Sequence, residues 1–242
     1  EVVETERTTP ESYELHALFA RMRDAGCTHV IMEVSSHSLV LDRVHGIRFA
    51  VGAFTNLTQD HLDFHKTMEE YRKAKAILFT ISDKGVINLD DPAAKAMLTD
   101  AQCPCMTFSC EKDAADLTAK NIKLHADGVE FVATTKGELA RVKLPIPGHF
   151  SVENALTALG IVLQLGLPLA DAAKSLATAT GVKGRVEVVP TDTDYTVLID
   201  YAHSPDGVEN VLRAVRGFAK GRVVALFGCG GDRDRTKRPK MG

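Results

Sequence analysis

The chain has 242 residues, 45% of them hydrophobic and 25% charged, and its formal net charge is −3. This composition indicates an ordinary globular protein, with room for one large domain or for one domain and part of another. The small net charge gives no reason to expect a nucleic-acid or membrane-surface partner, and no stretch approaches the roughly 20 apolar residues that would cross a bilayer. The five cysteines show no paired C-x-x-C spacing, which favours reduced thiols in a cytoplasmic protein over disulfides or a zinc site.

The first half of the chain alternates between helical and extended patterns. Apolar residues at helical spacing predict helices over residues 11–25 and 68–81. Apolar runs rich in β-branched residues predict buried strands over residues 28–34, 49–57 and 84–89. Strands that alternate with helices indicate βαβ units and a parallel sheet.

The second half begins with a different pattern. Residues 117–144 alternate apolar and polar side chains around Asp127-Gly128, which predicts an antiparallel hairpin. A nearly all-apolar segment, 152–165, then predicts a buried helix, and residues 169–179 predict a second helix. After a break at residues 181–184, a second α/β unit begins. Its predicted elements are strands over residues 185–189, 196–200 and 222–227 and a helix over residues 205–218.

Both ends of the chain look cut, because the first residue is Glu1 and the chain stops at Gly242 just after a densely charged segment. We therefore predict an α/β protein in two parts. Residues 1–182 form an incomplete domain with a mostly parallel sheet and an antiparallel excursion. Residues 183–242 form the truncated start of a second domain.

Polar side chains follow two of the predicted strands. Glu33 ends the first strand, and in open α/β sheets ligands bind at the carboxyl ends of strands. This acid therefore fits a metal or phosphate site, or else a salt-bridged or capping carboxylate. His61 lies in the polar loop after the next strand, where a histidine is either a metal ligand or is satisfied by backbone hydrogen bonds.

Lys75 is placed unusually, in the middle of an apolar helical face that also carries Tyr71 and Phe79. A lysine there either extends its amine to solvent or loses its charge. A neutral amine can react with carbon dioxide to form a carbamate, which is an anionic oxygen ligand. The pattern alone leaves both alternatives open.

Eight segments, in order, resemble the motifs of the Mur ligase family. They are residues 6–10, 33–37, 60–63, 71–75, 147–154, 184–187, 200–206 and 227–234. Glu-Val-Ser-Ser-His at residues 33–37 resembles the tripeptide synthetase branch of that family. Arg7 and Ser151 stand where the family motifs have asparagine, and Ser204 stands where they have threonine. The resemblance implies a central ATPase-like domain followed by a Rossmann-like C-terminal domain.

The same resemblance implies roles for particular residues. Glu33, His61 and a carbamylated Lys75 would form the catalytic set around a magnesium ion. Thr8, Thr9, Ser35 and Arg43 would bind the UDP-N-acetylmuramoyl dipeptide, since a guanidinium fork suits a carboxylate. Asn154, Arg185 and Asp200 would bind the nucleotide.

The activity implied is ATP-dependent ligation, in peptidoglycan synthesis in the cytoplasm. A diamino acid, meso-diaminopimelate or L-lysine, would be joined to UDP-N-acetylmuramoyl-L-alanyl-D-glutamate through an acyl phosphate. The sequence has no Gly-Lys-Ser/Thr phosphate loop, so we expect an internal fragment that is inactive alone. The alternatives are another ligase of the superfamily, of cyanophycin or folylpolyglutamate type, and a non-catalytic nucleotide-sugar binding module.

Overall fold

The computed structural model describes residues 3, 5, 7–229 and 238–242. The chain divides into two compact units, Glu1–Thr107 and Phe108–Gly242. None of the five cysteines, all of which are described, forms a disulfide bond. Among the described residues, no helix is both long enough and apolar enough to span a membrane.

The first unit contains a parallel pair of strands and five helices among its described residues. These elements are α1 (Ser12–Asp24), α2 (Ser36–Val40), β1 (Phe49–Phe54), α3 (Leu62–His65), α4 (Met68–Ala76), a 3₁₀ turn (Ile77–Thr80), β2 (Ser82–Asn88) and α5 (Ala94–Asp100). β1 and β2 run parallel, with Phe49 opposite Ser82 and Phe54 opposite Ile87. Phe54, Ile87 and Phe79 belong to the apolar core beneath these strands.

Local capping explains where the helices of this unit begin. Glu11 and Glu14 form a capping box at the start of α1. The Thr67 hydroxyl accepts the Glu70 N–H, 3.1 Å away, at the start of α4. The predicted helix over residues 68–81 is therefore confirmed in position, but its last turn is 3₁₀ rather than α.

The predicted strand over residues 28–34 is wrong. These residues form no helix or strand, and the Ile31 side chain is 97% exposed. A strand needs a neighbour to receive its backbone hydrogen bonds, and no strand in the described part of the chain pairs with this segment. An apolar run therefore predicted a strand that these residues do not form.

The second unit is organised around an antiparallel meander. β3 (Cys105–Ser109) spans the boundary between the units and was not predicted, and its end pairs in parallel with β4 (Leu117–His125). β4 pairs antiparallel with β5 (Gly128–Thr134), and β5 with β6 (Leu139–Leu144). The strand order from β1 to β6 follows the chain order. The predicted mostly parallel sheet with an antiparallel excursion is confirmed, and the excursion has three strands rather than two.

Two helices cover one face of this meander. Both α6 (His149–Gln164) and α7 (Leu169–Leu176) pack on it. The inward residues of β5 and β6 alternate with outward polar ones, so Phe131 and Val142 are buried while Arg141 is exposed. The predicted helices at residues 152–165 and 169–179 are confirmed in place.

The last part of the second unit contains a small antiparallel pair, β7 (Glu187–Val189) and β8 (Val197–Ile199), and the helices α8 (Pro205–Phe218) and α9 (Arg238–Met241). The strand predicted over residues 222–227 is wrong: residues 222–229 form no element, and Leu226 is fully exposed. No strand among the described residues pairs with this segment either. In the glycine-rich segment at 227–234, residues 230–234 lie outside the described residues.

Candidate active site

Thr9 joins two of the predicted site segments in the first unit. Its buried hydroxyl donates to the main-chain oxygen of Glu33 at 2.9 Å and accepts the Ser35 N–H at 3.1 Å. The Ser35 hydroxyl in turn accepts the Ser38 N–H at 3.2 Å and caps α2. The structure thus brings Thr9, Glu33 and Ser35 together, although they lie up to 26 positions apart. Thr8, next in sequence, is exposed.

Arg43 lies against the same group with its hydrogen-bonding capacity only partly used. Its side chain is 11% exposed, and one terminal nitrogen lies 3.1 Å from a Glu11 carboxylate oxygen. The other approaches the Thr9 carbonyl at 3.5 Å. Its Nε is buried and has no hydrogen-bond partner among the described residues. Glu11 also pairs with Arg7, so this carboxylate is shared between two cations, and the guanidinium of Arg43 retains donors for an anion.

Lys75 is partly buried on α4 and lies among carboxylates. Burial lowers the pKa of Lys75 below its ordinary value, and this outweighs the opposite effect of Glu33, Asp60 and Asp91. Its Nζ lies 5.0 Å from the centroid of the Tyr71 ring, within the range of a cation–π contact. A lowered pKa raises the fraction of neutral amine, which is the form that reacts with carbon dioxide.

His61 has an exposed ring on a constrained backbone. Its φ is 55°, in the left-handed region, and its N–H donates to the Asp60 carboxylate at 2.8 Å. Its Nε2 lies 3.6 Å from the other Asp60 oxygen. The ring contacts His37 edge-on, with centroids 4.9 Å apart. No backbone hydrogen bond to this ring occurs among the described residues, so a ring nitrogen remains for another ligand.

Whether a magnesium ion could bind near Lys75 depends on the charge and type of the surrounding side chains. No group of three or more His, Cys, Asp or Glu side chains in the described ranges is arranged to hold a metal ion. With Lys75 as an ammonium, a positive charge already lies among the carboxylates and repels a second cation. A carbamate on Lys75 would replace that charge with oxygen ligands of the kind that magnesium prefers. On these charges, a magnesium ion beside Lys75 would require the carbamylated form of that lysine.

Several residues of this site escaped the sequence reasoning. Asp91 accepts the Leu57 N–H and the Ala93 N–H, each at 2.7 Å, and acts electrostatically on Lys75. It follows the carboxyl end of β2, so the strand-end rule that selected Glu33 would have found it. Ser36 and His65, in contrast, carry no local signal, because their hydrogen bond joins residues 29 positions apart.

In the second unit, Arg185 and Asp200 lie together across the β7–β8 pair. The Asp200 carboxylate accepts the Val186 N–H at 2.8 Å and the Ala202 N–H at 2.7 Å. Val186 is buried and has a φ of 45°, a conformation unfavourable for a β-branched residue. The Arg185 guanidinium carbon lies 4.9 Å from the Tyr201 ring centroid. Asp200 therefore holds the turn that presents Arg185.

Asn154 is exposed on α6. No hydrogen bond or ion pair between described residues connects it with Arg185 or Asp200. Asn154, the third residue predicted to bind the nucleotide, is thus on the surface of the same unit. Its own interactions do not place it with Arg185 and Asp200.

Comparison with known proteins assigns both parts of the chain. Residues 1–162 match the Mur ligase middle domain, and residues 184–242 match the Mur ligase glutamate ligase domain. A protein of Clostridium botulinum named UDP-N-acetylmuramoyl-L-alanyl-D-glutamate–2,6-diaminopimelate ligase is 48% identical over 242 residues, which cover 99% of this chain and 50% of that protein. A ligase of the same name from Bacillus licheniformis is 43% identical over 250 residues, covering 100% of this chain and 51% of that one.

A solved structure of a ligase with this name has the same fold. Its TM-score is 0.80 at 34% identity, and the match covers 99% of this chain and 50% of that chain. The chain therefore spans about half the length of the curated relatives it matches.

Proposed function

Because the chain belongs to the Mur ligase family, we propose that the protein is an ATP-dependent amide ligase that extends a peptidoglycan precursor. Its acceptor would be UDP-N-acetylmuramoyl-L-alanyl-D-glutamate, and its amine donor would be a diamino acid. The names of curated relatives at 42–49% identity favour diaminopimelate over L-lysine as that donor. We place the reaction in the cytoplasm, without a membrane or nucleic-acid partner.

The observation that carries this proposal is Arg43, which lies beside Thr9 with its side chain only 11% exposed and whose Nε has no hydrogen-bond partner among the described residues. A guanidinium that keeps free donors in a buried position is suited to a carboxylate ligand. The acceptor proposed here carries the glutamyl carboxylates that such a group would receive. Thr8, Thr9 and Ser35 would supply hydroxyl and main-chain contacts beside it. Arg43 would thus hold and orient the substrate.

The chemistry proceeds in two steps. The glutamyl carboxylate oxygen attacks the γ-phosphorus of ATP, which forms an acyl phosphate and releases ADP. The neutral amine of the diamino acid then attacks the acyl carbon, the C–N bond forms, the nitrogen loses a proton and inorganic phosphate leaves. A magnesium ion held by Glu33, His61 and the carbamate of Lys75 would neutralise the phosphate and carboxylate oxygens.

The remaining proposed site residues belong to the nucleotide. Arg185 would face the phosphates, since its guanidinium has no carboxylate ion pair among the described residues and is held by the Tyr201 ring. Asp200 would approach the ribose hydroxyls with lone pairs not used by the two N–H groups it accepts. Asn154 would contact the base.

We also propose a domain boundary at 182/183. It is supported by the family matches on either side and differs from the geometric division within β3. Gly184 has a φ of 73° and Gly181 has open space around it, so residues 181–184 suit a hinge that would close the active site over a water-sensitive acyl phosphate.

The test is phosphate release by the full-length protein that contains this chain. UDP-N-acetylmuramoyl-L-alanyl-D-glutamate, ATP and magnesium would be supplied with meso-diaminopimelate or with L-lysine in separate reactions. We expect release with the former. Lys75→Ala should abolish it, whereas Lys73→Ala, which removes an exposed lysine of the same helix, should not. If the folded protein releases no phosphate with either diamino acid, the proposal is contradicted and a binding module or another ligase is favoured.

A further inference from the structure

Beneath the proposed active site, a buried serine and histidine connect α2 to α3. The Ser36 hydroxyl and Nε2 of His65 lie 2.8 Å apart. Ser36 is 3% exposed and His65 is 5% exposed, so water does not compete for this hydrogen bond. It fixes the orientation of the imidazole ring, which would otherwise turn about its side-chain bonds.

The fixed imidazole supports Tyr71. The two rings are stacked, with centroids 4.8 Å apart and planes only 15° from parallel. Tyr71 is itself 7% exposed. A phenol is neutral at physiological pH. The tyrosine ring is therefore a rigid and uncharged surface.

Lys75 extends along this surface one helical turn later on α4. Its amine lies 5.0 Å from the Tyr71 ring centroid. A lysine side chain has four rotatable bonds, so burial alone does not specify where its nitrogen lies. The ring attracts the ammonium through its π face, and a neutral amine can still donate an N–H to the same face.

We propose that His65 and Tyr71 are positioning residues for Lys75. The Ser36 hydroxyl orients His65, His65 holds the Tyr71 ring, and the ring places the Lys75 nitrogen where it reacts with carbon dioxide. The amine lone pair attacks the carbon of carbon dioxide, the N–C bond forms, a C=O electron pair moves to oxygen, and one proton leaves the nitrogen for water. This inference rests on the proposed role of Lys75.

The test measures the carbamate itself as well as the activity. The full-length protein is equilibrated with ¹³C-labelled bicarbonate, and the carbamate carbon is quantified by NMR. Tyr71→Leu removes the π face and His65→Gln removes the stacked ring. We expect each to lower kcat by about 10- to 100-fold, because a displacement of about 1 Å can reduce a rate by that much, and to lower carbamate occupancy measurably below that of the wild-type protein. KM for the nucleotide dipeptide should change by less than about 2-fold, since ground-state binding is untouched.

Matched controls separate positioning from loss of structure. Tyr71→Phe retains the ring and should retain the carbamate, and His29→Ala removes an exposed histidine of the same unit and should change nothing. Raised bicarbonate should restore part of the activity of His65→Gln, whereas a misfolded protein would not respond. Thermal melts verify folding. If either Tyr71→Leu or His65→Gln fails to fold, the other variant still tests the proposal. Ser36→Ala is a third and milder variant.

The outcomes are distinct. Full carbamate occupancy in folded Tyr71→Leu and His65→Gln would overturn the positioning role while leaving the ligase assignment intact. A wild-type protein that ligates but shows no carbamate would overturn the role of Lys75 and this inference with it. A wild-type protein with carbamate but no ligase activity would refute the proposed function alone.

Discussion

Replacement of Arg43 by methionine should separate substrate binding from structural support. The substitution removes the ion pair with Glu11, whose side chain is 51% exposed. Ion pairs with such an exposed partner contribute about 0.2–1 kcal/mol to stability. The substitution also removes the buried Nε, which has no hydrogen-bond partner among the described residues, and an unsatisfied buried group costs about 1–3 kcal/mol. Methionine keeps the apolar stem in place. We therefore expect Arg43→Met to leave the free energy of unfolding unchanged or to raise it by about 1 kcal/mol.

Substrate binding should change in the opposite direction. If the guanidinium receives a substrate carboxylate, each hydrogen bond lost removes about 1.5–3 kcal/mol, which corresponds to a rise in KM of about 10- to 150-fold. Urea denaturation and steady-state kinetics of the full-length protein measure the two effects, and Arg48→Met, at an exposed ion pair, is the control. A loss of more than about 2 kcal/mol of stability with an unchanged KM would refute the reasoning, because Arg43 would then be a structural residue.

Three further changes test the fold and its charges. A Cβ at Gly85 would lie 2.4 Å from a cysteine sulfur, so Gly85→Ala should lower the free energy of unfolding, measured by urea denaturation, by about 1–3 kcal/mol. The control Gly221→Ala places its Cβ in open space and should change that free energy by less than about 0.5 kcal/mol. The buried Arg72 guanidinium binds two carboxylates that are 58% and 40% exposed, so Arg72→Met should cost only about 1–2 kcal/mol, measured in the same way. Burial, and then neighbouring cationic groups, lowers the pKa of His65. The unfolded chain therefore binds more protons near pH 6, and stability should fall as the pH drops below about 6.5; His65→Gln should flatten that slope in thermal melts, whereas His29→Gln should not.

Local patterns gave correct predictions where one segment supplies its own partners. The helix that carries Lys75 was predicted from apolar spacing, and its N-cap and buried Tyr71 confirm that interpretation. The antiparallel excursion was predicted from alternation around Asp127-Gly128, since adjacent strands joined by a short turn pair with each other. In both cases the hydrogen bonds lie within or next to the segment that shows the pattern.

The same patterns gave wrong predictions where the partner is remote. Residues 28–34 and 222–227 have strand-like composition, but no described strand pairs with either, and Ile31 and Leu226 are exposed. The composition of a segment indicates whether it suits a β-sheet. Whether it pairs as a strand depends on a second segment, which the pattern does not identify. β3 shows the reverse case, because it forms between neighbours although its sequence gave no clear signal.

The sequence by itself determined the family, through the order of its motifs. Local patterns of apolar and polar residues determined the α/β class and the short list of polar residues that follow strands. Only the tertiary structure decided which of those residues meet. It joined Thr9 to Glu33 and Ser35 and stacked His65 on the ring that contacts Lys75. It also left the Nε of Arg43 without a hydrogen-bond partner in the part of the chain that the structure describes. The physical reason is that burial and the hydrogen bonds between distant segments set the charge and orientation of a side chain, and both depend on how the segments pack.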